Sequence, residues 1–208
     1  LERLSENAPL MQQAVAGGRA AFQIHCIQCH GSGAAGSQEL GYPNLNDDDW
    51  LWGGDIRAIE YTLVHGIRQP GDPETRTSLM PAFAGILGPE EVDGVVDHVL
   101  SLSDQAPANP LGAQLYEQNC AICHGPNGEG MREFGAPNLA DAIWLRGSSR
   151  EAITAQILNP KMGMMPKWEG RLDPVTISML AAYVHSLGGG EDFIEVAENP
   201  EVEVDEQP

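Results

Sequence analysis

The clearest pattern along the chain is an apolar stripe of helical period in the stretch 89–102, which the stretch 174–187 repeats. The apolar residues stand at positions i, i+3, i+4 and i+7, a spacing that places their side chains on one face of a helix. A proline near each start, Pro89 and Pro174, suits the first helical turn. The two stripes consist of Val92, Val95, Val96 and Val99, and of Ile177, Leu180, Ala181 and Val184.

Four further stretches fit helices, and they also come in pairs. Residues 11–27 and 111–122 each run into a pair of cysteines, and residues 56–66 and 150–159 form a middle helix in each half. No alternating strand pattern competes with them. The sequence therefore predicts an all-α fold.

The paired helices belong to an internal repeat. Cys120 follows Cys26 by 94 positions, whereas Met165 follows Met80 by 85, so the first copy carries nine extra residues around positions 69–76. The glycine, prolines and charges of this insertion are typical of a surface loop. The 94-residue offset also aligns Gly18 with Gly112, Phe22 with Tyr116, His30 with His124, Pro43 with Pro137, and Trp50 with Trp144.

The repeat predicts the domain organisation. Residues 103–110 lack apolar periodicity and are rich in alanine and proline, which is typical of a short, stiff linker. We therefore predict a first domain at 1–105 and a second at 106–190. Residues 191–208 are strongly acidic and are expected to form a disordered tail.

The net charge of the chain limits the kinds of partner that it could bind. The formal net charge is −19, from 30 acidic and 11 basic residues, which excludes a nucleic-acid binder because phosphate contacts need a basic face. It favours a basic partner or a soluble periplasmic surface. No apolar run reaches the length of a membrane span. Because the sequence begins at Leu1 and not at methionine, we expect that it was processed or cut from a longer protein, and a membrane anchor stays open.

The cysteines carry the chemistry. All four lie in two Cys-x-x-Cys-His motifs, the attachment signature of c-type haem. Two thiols about one helical turn apart can each bond one vinyl group, and the adjacent histidine becomes the proximal iron ligand. A zinc site would need four soft ligands, and a thioredoxin-like pair would need a βαβ context. We predict two haem c groups, attached through Cys26 and Cys29 with His30, and through Cys120 and Cys123 with His124.

The sixth iron ligand is predicted from the repeat. Met80 and Met165 align and each precedes a proline, whereas a methionine that only fills a gap in a core need not recur. A thioether ligand raises the reduction potential and closes the iron to substrates. Met162 and Met164 remain alternatives to Met165. The other histidines do not recur between the copies and are expected to be surface or packing residues, with bis-histidine ligation the minor alternative: His25, His65, His98 and His185.

Each copy resembles a class I cytochrome c, with Cys-x-x-Cys-His, Pro-Asn-Leu, Met-Pro and a closing helix in that order. The resemblance implies two tandem domains, each wrapped around a covalent haem. It also implies that the carbonyl groups of Pro43 and Pro137 accept hydrogen bonds from the axial histidines.

The tandem as a whole resembles the dihaem cytochrome c subunit, subunit III, of cbb3-type cytochrome c oxidases. This resemblance implies an electron relay from a soluble, basic donor cytochrome c to the oxidase core subunits, without substrate chemistry in this chain. It further implies a membrane anchor outside this sequence, on the periplasmic side of the bacterial inner membrane. The residues that carry it are 49–54 (DWLWGG), 66–68 (GIR), 80–83 (MPAF) and 182–189 (AYVHSLGG).

Two other functions remain open from the sequence. A free soluble dihaem carrier would use the same His/Met modules. A dihaem peroxidase or sulfur-compound oxidoreductase would keep one iron open or give it an unusual ligand, which the two matched Met-Pro pairs oppose.

Overall fold

The computed structural model describes Leu4 and residues 7–192. Within these residues the only β-structure is a set of isolated bridges, so the predicted all-α class is confirmed. The predicted tail lies almost wholly outside the described residues. In chain order the helices are α1 (Ala8–His25), α2 (Ile27–His30), α3 (Ile56–His65), α4 (Pro89–Ser101), α5 (Pro110–Asn119), α6 (Ala121–His124), a 3₁₀ turn (Arg132–Phe134), α7 (Arg150–Leu158) and α8 (Pro174–His185).

Polar side chains define where the long helices begin. In five of them a side-chain oxygen accepts a hydrogen bond from a backbone N–H of the first turn, which satisfies a donor that the helix itself cannot. The residue before α4 is Gly88, which has no side chain to accept such a bond. Its backbone N–H donates instead to the Glu91 side chain at 2.7 Å. The five capping residues are Asn7, Asp55, Asn109, Ser149 and Asp173.

The helices pack across the repeat. α1 of the first copy packs against α8 of the second, and α3 also contacts α8. α4 of the first copy packs against α5 and α7 of the second. Two separate buried clusters result, one centred on Phe22 and Leu180, the other on Val96 and Tyr116.

The packing units therefore do not coincide with the predicted segments 1–105 and 106–190. Each unit takes its cysteine motif and middle helix from one copy and its closing helix from the other. The linker between α4 and α5 is short, so these two helices pack as neighbours. An apolar stripe requires a complementary face, but it does not specify which of two similar copies supplies that face.

Two aligned glycines allow the closest helix contacts. A Cβ atom on Gly18 would lie 1.9 Å from the backbone oxygen of Met179 in α8. A Cβ atom on Gly112 would lie 1.8 Å from the backbone oxygen of Gly94 in α4. No side chain fits at either position, so glycine is required where the helices of the two copies cross.

Candidate haem sites

Each Cys-x-x-Cys-His motif forms a single helical turn that presents its histidine. The turns α2 and α6 end at Gly31 and Gly125, whose φ angles of 76° and 79° favour glycine. The buried aromatic rings four positions before each cysteine pair belong to the same sites. Phe22 lies 6.4 Å from the His30 ring, and the Tyr116 hydroxyl donates to the Gly125 carbonyl at 2.8 Å.

A proline carbonyl orients each histidine ring. Nδ1 of His30 lies 3.2 Å from the oxygen of Pro43, and Nδ1 of His124 lies 3.1 Å from the oxygen of Pro137. A carbonyl can only accept, so Nδ1 carries the proton and Nε2 keeps its lone pair. Nε2 is thereby left as the ligating atom, with its tautomer and direction set by the partner.

The protonation of these groups suits neutral imidazole ligands and does not suit redox-active cysteine pairs. Burial lowers the pKa of His30 and His124, although the bonds to the proline carbonyls oppose the shift, so both rings are neutral at pH 7. Burial, followed by the charge of the neighbouring cysteine, raises the pKa of Cys26 and of Cys120 to about 11. A redox-active thiol needs the opposite shift. Among the described residues no group of three or more His, Cys, Asp or Glu could hold a metal ion.

The predicted methionines lie in opposite clusters. Met165 packs against the buried cluster that Cys26 and Ile27 also line. Met80 packs against the cluster that Cys120 and Ala121 line. Each methionine thus shares a cluster with the cysteine motif of the other copy.

The alternative methionines occupy different surroundings. The side chain of Met164 is 59% exposed, so it lies outside both clusters. The sulfur of Met162 accepts a hydrogen bond from the Met80 backbone N–H at 3.3 Å. Met162 therefore lies beside the loop that carries Met80.

The insertion in the first copy contacts the loop that carries Met165. The carboxylate of Asp72, 4% exposed, pairs with the Lys167 ammonium at 3.1 Å and with His65 at 3.3 Å. Just before the insertion, Ile67 and Met165 exchange two backbone hydrogen bonds of 3.0 Å each. The insertion predicted as a surface loop thus braces a methionine loop of the other copy.

The contacts of Asp72 with Lys167 and His65, called the brace below, predict that the effect of Asp72→Asn on stability depends on pH. Burial opposes ionisation of Asp72, but Lys167, the Glu74 N–H and His65 together hold the pKa of that carboxyl below its ordinary value. Its contribution to stability is therefore present at neutral pH and is lost as pH falls through the lowered pKa. Asp72→Asn should lower the thermal midpoint of the holoprotein at pH 7, and the difference from wild type should shrink in acid.

The matched control is Glu169→Gln, because the Glu169 carboxylate reaches the same Lys167 ammonium at 3.6 Å but is 59% exposed. Exposed pairs contribute little to stability. Equal shifts of the thermal midpoint for the two variants would contradict the brace.

The sequence did not identify a role for Arg68. Its guanidinium donates to the Ser78 carbonyl at 3.2 Å and to the Gly163 carbonyl at 2.9 Å, and so joins the Met80 loop to the Met165 loop. The motif that contains it, residues 66–68, was noticed only as part of the family resemblance. No spacing pattern distinguishes a side chain that bonds to backbone carbonyls.

The four unrepeated histidines all contact protein groups. His25 stacks near Trp168 with ring centroids 5.4 Å apart, and His98 near Tyr116 at 4.8 Å. His185 Nε2 lies 2.7 Å from the Glu191 carbonyl oxygen, and His65 belongs to the brace.

Two cysteine-histidine turns with oriented imidazoles, each sharing a cluster with a partly buried methionine in an all-α frame, define a cytochrome of the c type. The family model described as "Cytochrome C oxidase, cbb3-type, subunit III" matches residues 13–99 and again 107–184. The chain belongs to the family of subunit III of cbb3-type cytochrome c oxidases.

Curated relatives agree with this family. The cbb3-type cytochrome c oxidase subunit FixP of Rhizobium meliloti is 51% identical over 195 residues, which cover 92% of this chain and 66% of the relative. The subunit CcoP of Cereibacter sphaeroides is 48% identical over 196 residues, covering 92% and 67%. The chain spans about two thirds of the length of these relatives. No helix among the described residues is long and apolar enough to cross a membrane.

Proposed function

We propose that this chain is the electron-transferring part of a cbb3-type oxidase subunit III, with two covalent haem c groups. The observation that carries the proposal is that each Cys-x-x-Cys-His turn shares a buried cluster with one of the two methionines predicted as ligands, Met165 or Met80. His/Met ligation raises the potential and leaves no open iron position. Electrons would pass from a soluble donor cytochrome to the oxidase core, and no substrate bond would change in this chain.

The ligands are exchanged between the copies. Haem c supplies one-electron redox chemistry when bound. The first site would use Cys26, Cys29 and His30 with Met165, because Cys26 of this motif and Met165 pack against one cluster. The second site would use Cys120, Cys123 and His124 with Met80, because Cys120 of this motif and Met80 pack against the other cluster. Pro43 and Pro137 orient the histidines.

Exchange of the ligands ties the two sites to each other. Met165 is bonded through its backbone to Ile67 of the first copy, and Arg68 holds both methionine loops. A change of separation between the two sites would have to break these contacts and both helix pairs. A fixed separation suits a relay, because electrons would cross between the sites without a conformational step.

The charge of the chain supports a basic donor. Four carboxylates gather where the two copies meet, and burial, then Asp141, then Asp47 and Asp48, raise the pKa of Asp49 to about 6. Such clustering costs free energy that a basic partner would recover. The remaining partners would be the oxidase core and, through an anchor outside this sequence, the periplasmic side of the bacterial inner membrane.

The optical spectrum of the oxidised holoprotein tests the proposal. We expect two low-spin haems and the weak methionine-to-iron charge-transfer band at full intensity for two. Half intensity, or a high-spin component with peroxide turnover, would instead support a dihaem enzyme. Absence of covalent haem would remove the proposal altogether.

Reduction by a basic cytochrome c should slow steeply with salt. Steering by complementary charge enhances association by about 10–10³-fold, and the Debye length falls from roughly 30 Å at 0.01 M to roughly 3 Å at 1 M. We expect at least about a tenfold loss of the second-order rate across this range. Stopped-flow mixing measures it.

An acidic donor cytochrome of similar potential serves as the control. The rate at which it reduces this protein should rise with salt, because salt screens the repulsion between two acidic surfaces. Asp48→Asn, at an exposed position of the acidic cluster, should lower the rate at low salt and not at high salt. A salt-independent rate with the basic donor would contradict this part of the proposal.

A further inference from the structure

Two arginines lie close together where the copies meet, because the Arg68 guanidinium donates to the Gly163 carbonyl at 2.9 Å, and Gly163 lies beside Gly41, on which Arg146 packs. Burial, and then the positive charge of Arg146, lower the pKa of Arg68. Arg68 adopts a left-handed backbone with φ of 51°, which is strained for any residue other than glycine. The Arg146 guanidinium packs so closely on Gly41 that a Cβ atom there would lie 2.3 Å from its Cζ atom. The hydrogen bond of Arg68 to Gly163 and the packing of Arg146 on Gly41 hold the two guanidinium groups side by side.

Neither guanidinium meets a carboxylate among the described residues. Among the described residues the Arg68 guanidinium donates only to the carbonyls of Ser78 and Gly163. Arg146 takes part in none of the ion pairs or side-chain hydrogen bonds between residues 7 and 192. By contrast, Arg132 and Arg150 each pair with an acidic residue. In a chain with 30 acidic and 11 basic residues, two adjacent cations without acidic partners indicate a site for an anion from outside the folded polypeptide.

The pair lies at the junction of both candidate haem sites. Ser78 precedes Met80 by two residues and Gly163 precedes Met165 by two. Gly41, on which Arg146 packs, lies two residues before Pro43, and the Pro43 carbonyl orients His30. Guanidinium groups bind planar carboxylates through paired hydrogen bonds.

We propose that Arg68 and Arg146 form a carboxylate-binding pair for the propionate groups of haem c at the junction of the two sites. The inference rests on the haem binding proposed above. Two positive charges at this place keep the propionates ionised. They also raise the reduction potential, because a nearby cation disfavours the extra positive charge of the oxidised iron.

Potentiometric titration of the holoprotein from pH 6 to pH 9 tests the pair. The variants are Arg68→Gln, Arg146→Gln and the double change, with Arg68→Lys to retain the charge. The control is Arg171→Gln, which removes an exposed guanidinium that lies over the Trp168 ring. Arg146→Gln is the safest variant for folding, because no hydrogen bond in the described residues depends on it.

At pH 9 the double variant should shift the ratio of oxidised to reduced haem at fixed ambient potential by about tenfold or more toward oxidised, or ~59 mV for one electron. As pH falls, its potential should rise toward that of wild type, because a released propionate becomes protonated. Wild type and Arg171→Gln should show little pH dependence in this range. Arg68→Lys should recover part of the shift.

The methionine-to-iron band, recorded in the same samples, separates the possible failures. An intact band with potentials that match the Arg171→Gln control would overturn the carboxylate pair and leave the proposed function standing. Samples without attached haem would overturn the proposed function itself. A chain ending at Asp192 with both arginines in place should behave as wild type. If that chain instead shows the pH dependence, the acidic C-terminal residues supply the carboxylates, and the propionate assignment is wrong.

Discussion

Replacing Met165 with alanine should open the iron attached through Cys26 and Cys29, although 135 residues separate Met165 from His30. Met165 packs against the cluster that contains Cys26 of the first cysteine motif, and the two other methionines of that cluster, Met11 and Met179, lie within helices α1 and α8. Loss of a thioether ligand should lower the potential of that haem by on the order of 0.1–0.3 V, part of the roughly 0.8 V range that axial ligands control. Loss of one methionine-to-iron band and a redox titration of the holoprotein would show it.

Single-haem backgrounds assign the effect to one iron. With Cys120 and Cys123 replaced by alanine, only the first haem remains, and Met165→Ala should abolish the remaining band. In that background Met80→Ala should leave it intact. With Cys26 and Cys29 replaced instead, only the second haem remains. In that background Met80→Ala should abolish the methionine-to-iron band, and Met165→Ala should leave it intact.

Met164→Ala is the matched control, because its side chain is exposed next to Met165. It should leave both bands unchanged. If Met80→Ala opened the first haem, ligation would follow the linear order of the motifs within one copy, and the exchange would be wrong.

Residues 1–105 produced alone should fail to form a closed cytochrome. Without α8, the faces of α1 and α3 that carry Phe22, Ile59 and Leu63 would be exposed. Burial of each such side chain contributes about 1.5–3 kcal/mol, so three approach the 5–15 kcal/mol that holds a whole domain together. The isolated half should lack the methionine-to-iron band and should aggregate or unfold at low denaturant concentration.

Mixing the halves 1–105 and 106–208 provides the complementary measurement. The two should associate one to one and recover both bands, because each supplies the closing helix and the methionine of the other. Gly18→Leu in the half 1–105 should block recovery, since a side chain there collides with the Met179 backbone. A half that shows a methionine-ligated haem on its own would contradict the exchanged packing.

Much of the site follows from local spacing. Cysteines at positions i and i+3 with an adjacent histidine place three reactive groups on one helical turn, whatever the rest of the chain does. The resemblance added the proline partners, and the structure places Pro43 and Pro137 within hydrogen-bonding distance of the ring nitrogens. The repeat alignment singled out Met80 and Met165 over Met164, and the exposure of Met164 agrees with this choice.

The insertion in the first copy shows which contacts the composition of a segment cannot predict. Glycine, two prolines and charges in residues 69–76 indicate a loop, and the segment is a loop. Its burial of Asp72 against Lys167 depends on a segment 95 positions away. Loop composition carries no information about a partner at that distance.

By itself, the sequence determined the all-α class, the two haem attachment motifs, the repeat and the family, because each depends on spacing within one segment or on similarity along the chain. Only the tertiary structure decided which methionine shares a cluster with which cysteine motif. The closing helices α4 and α8 carry nearly the same apolar stripe, so either could cover either cysteine motif. The short connection between α4 and α5 and the glycine crossings at Gly18 and Gly112 favour the exchanged arrangement, and these are properties of the assembled chain.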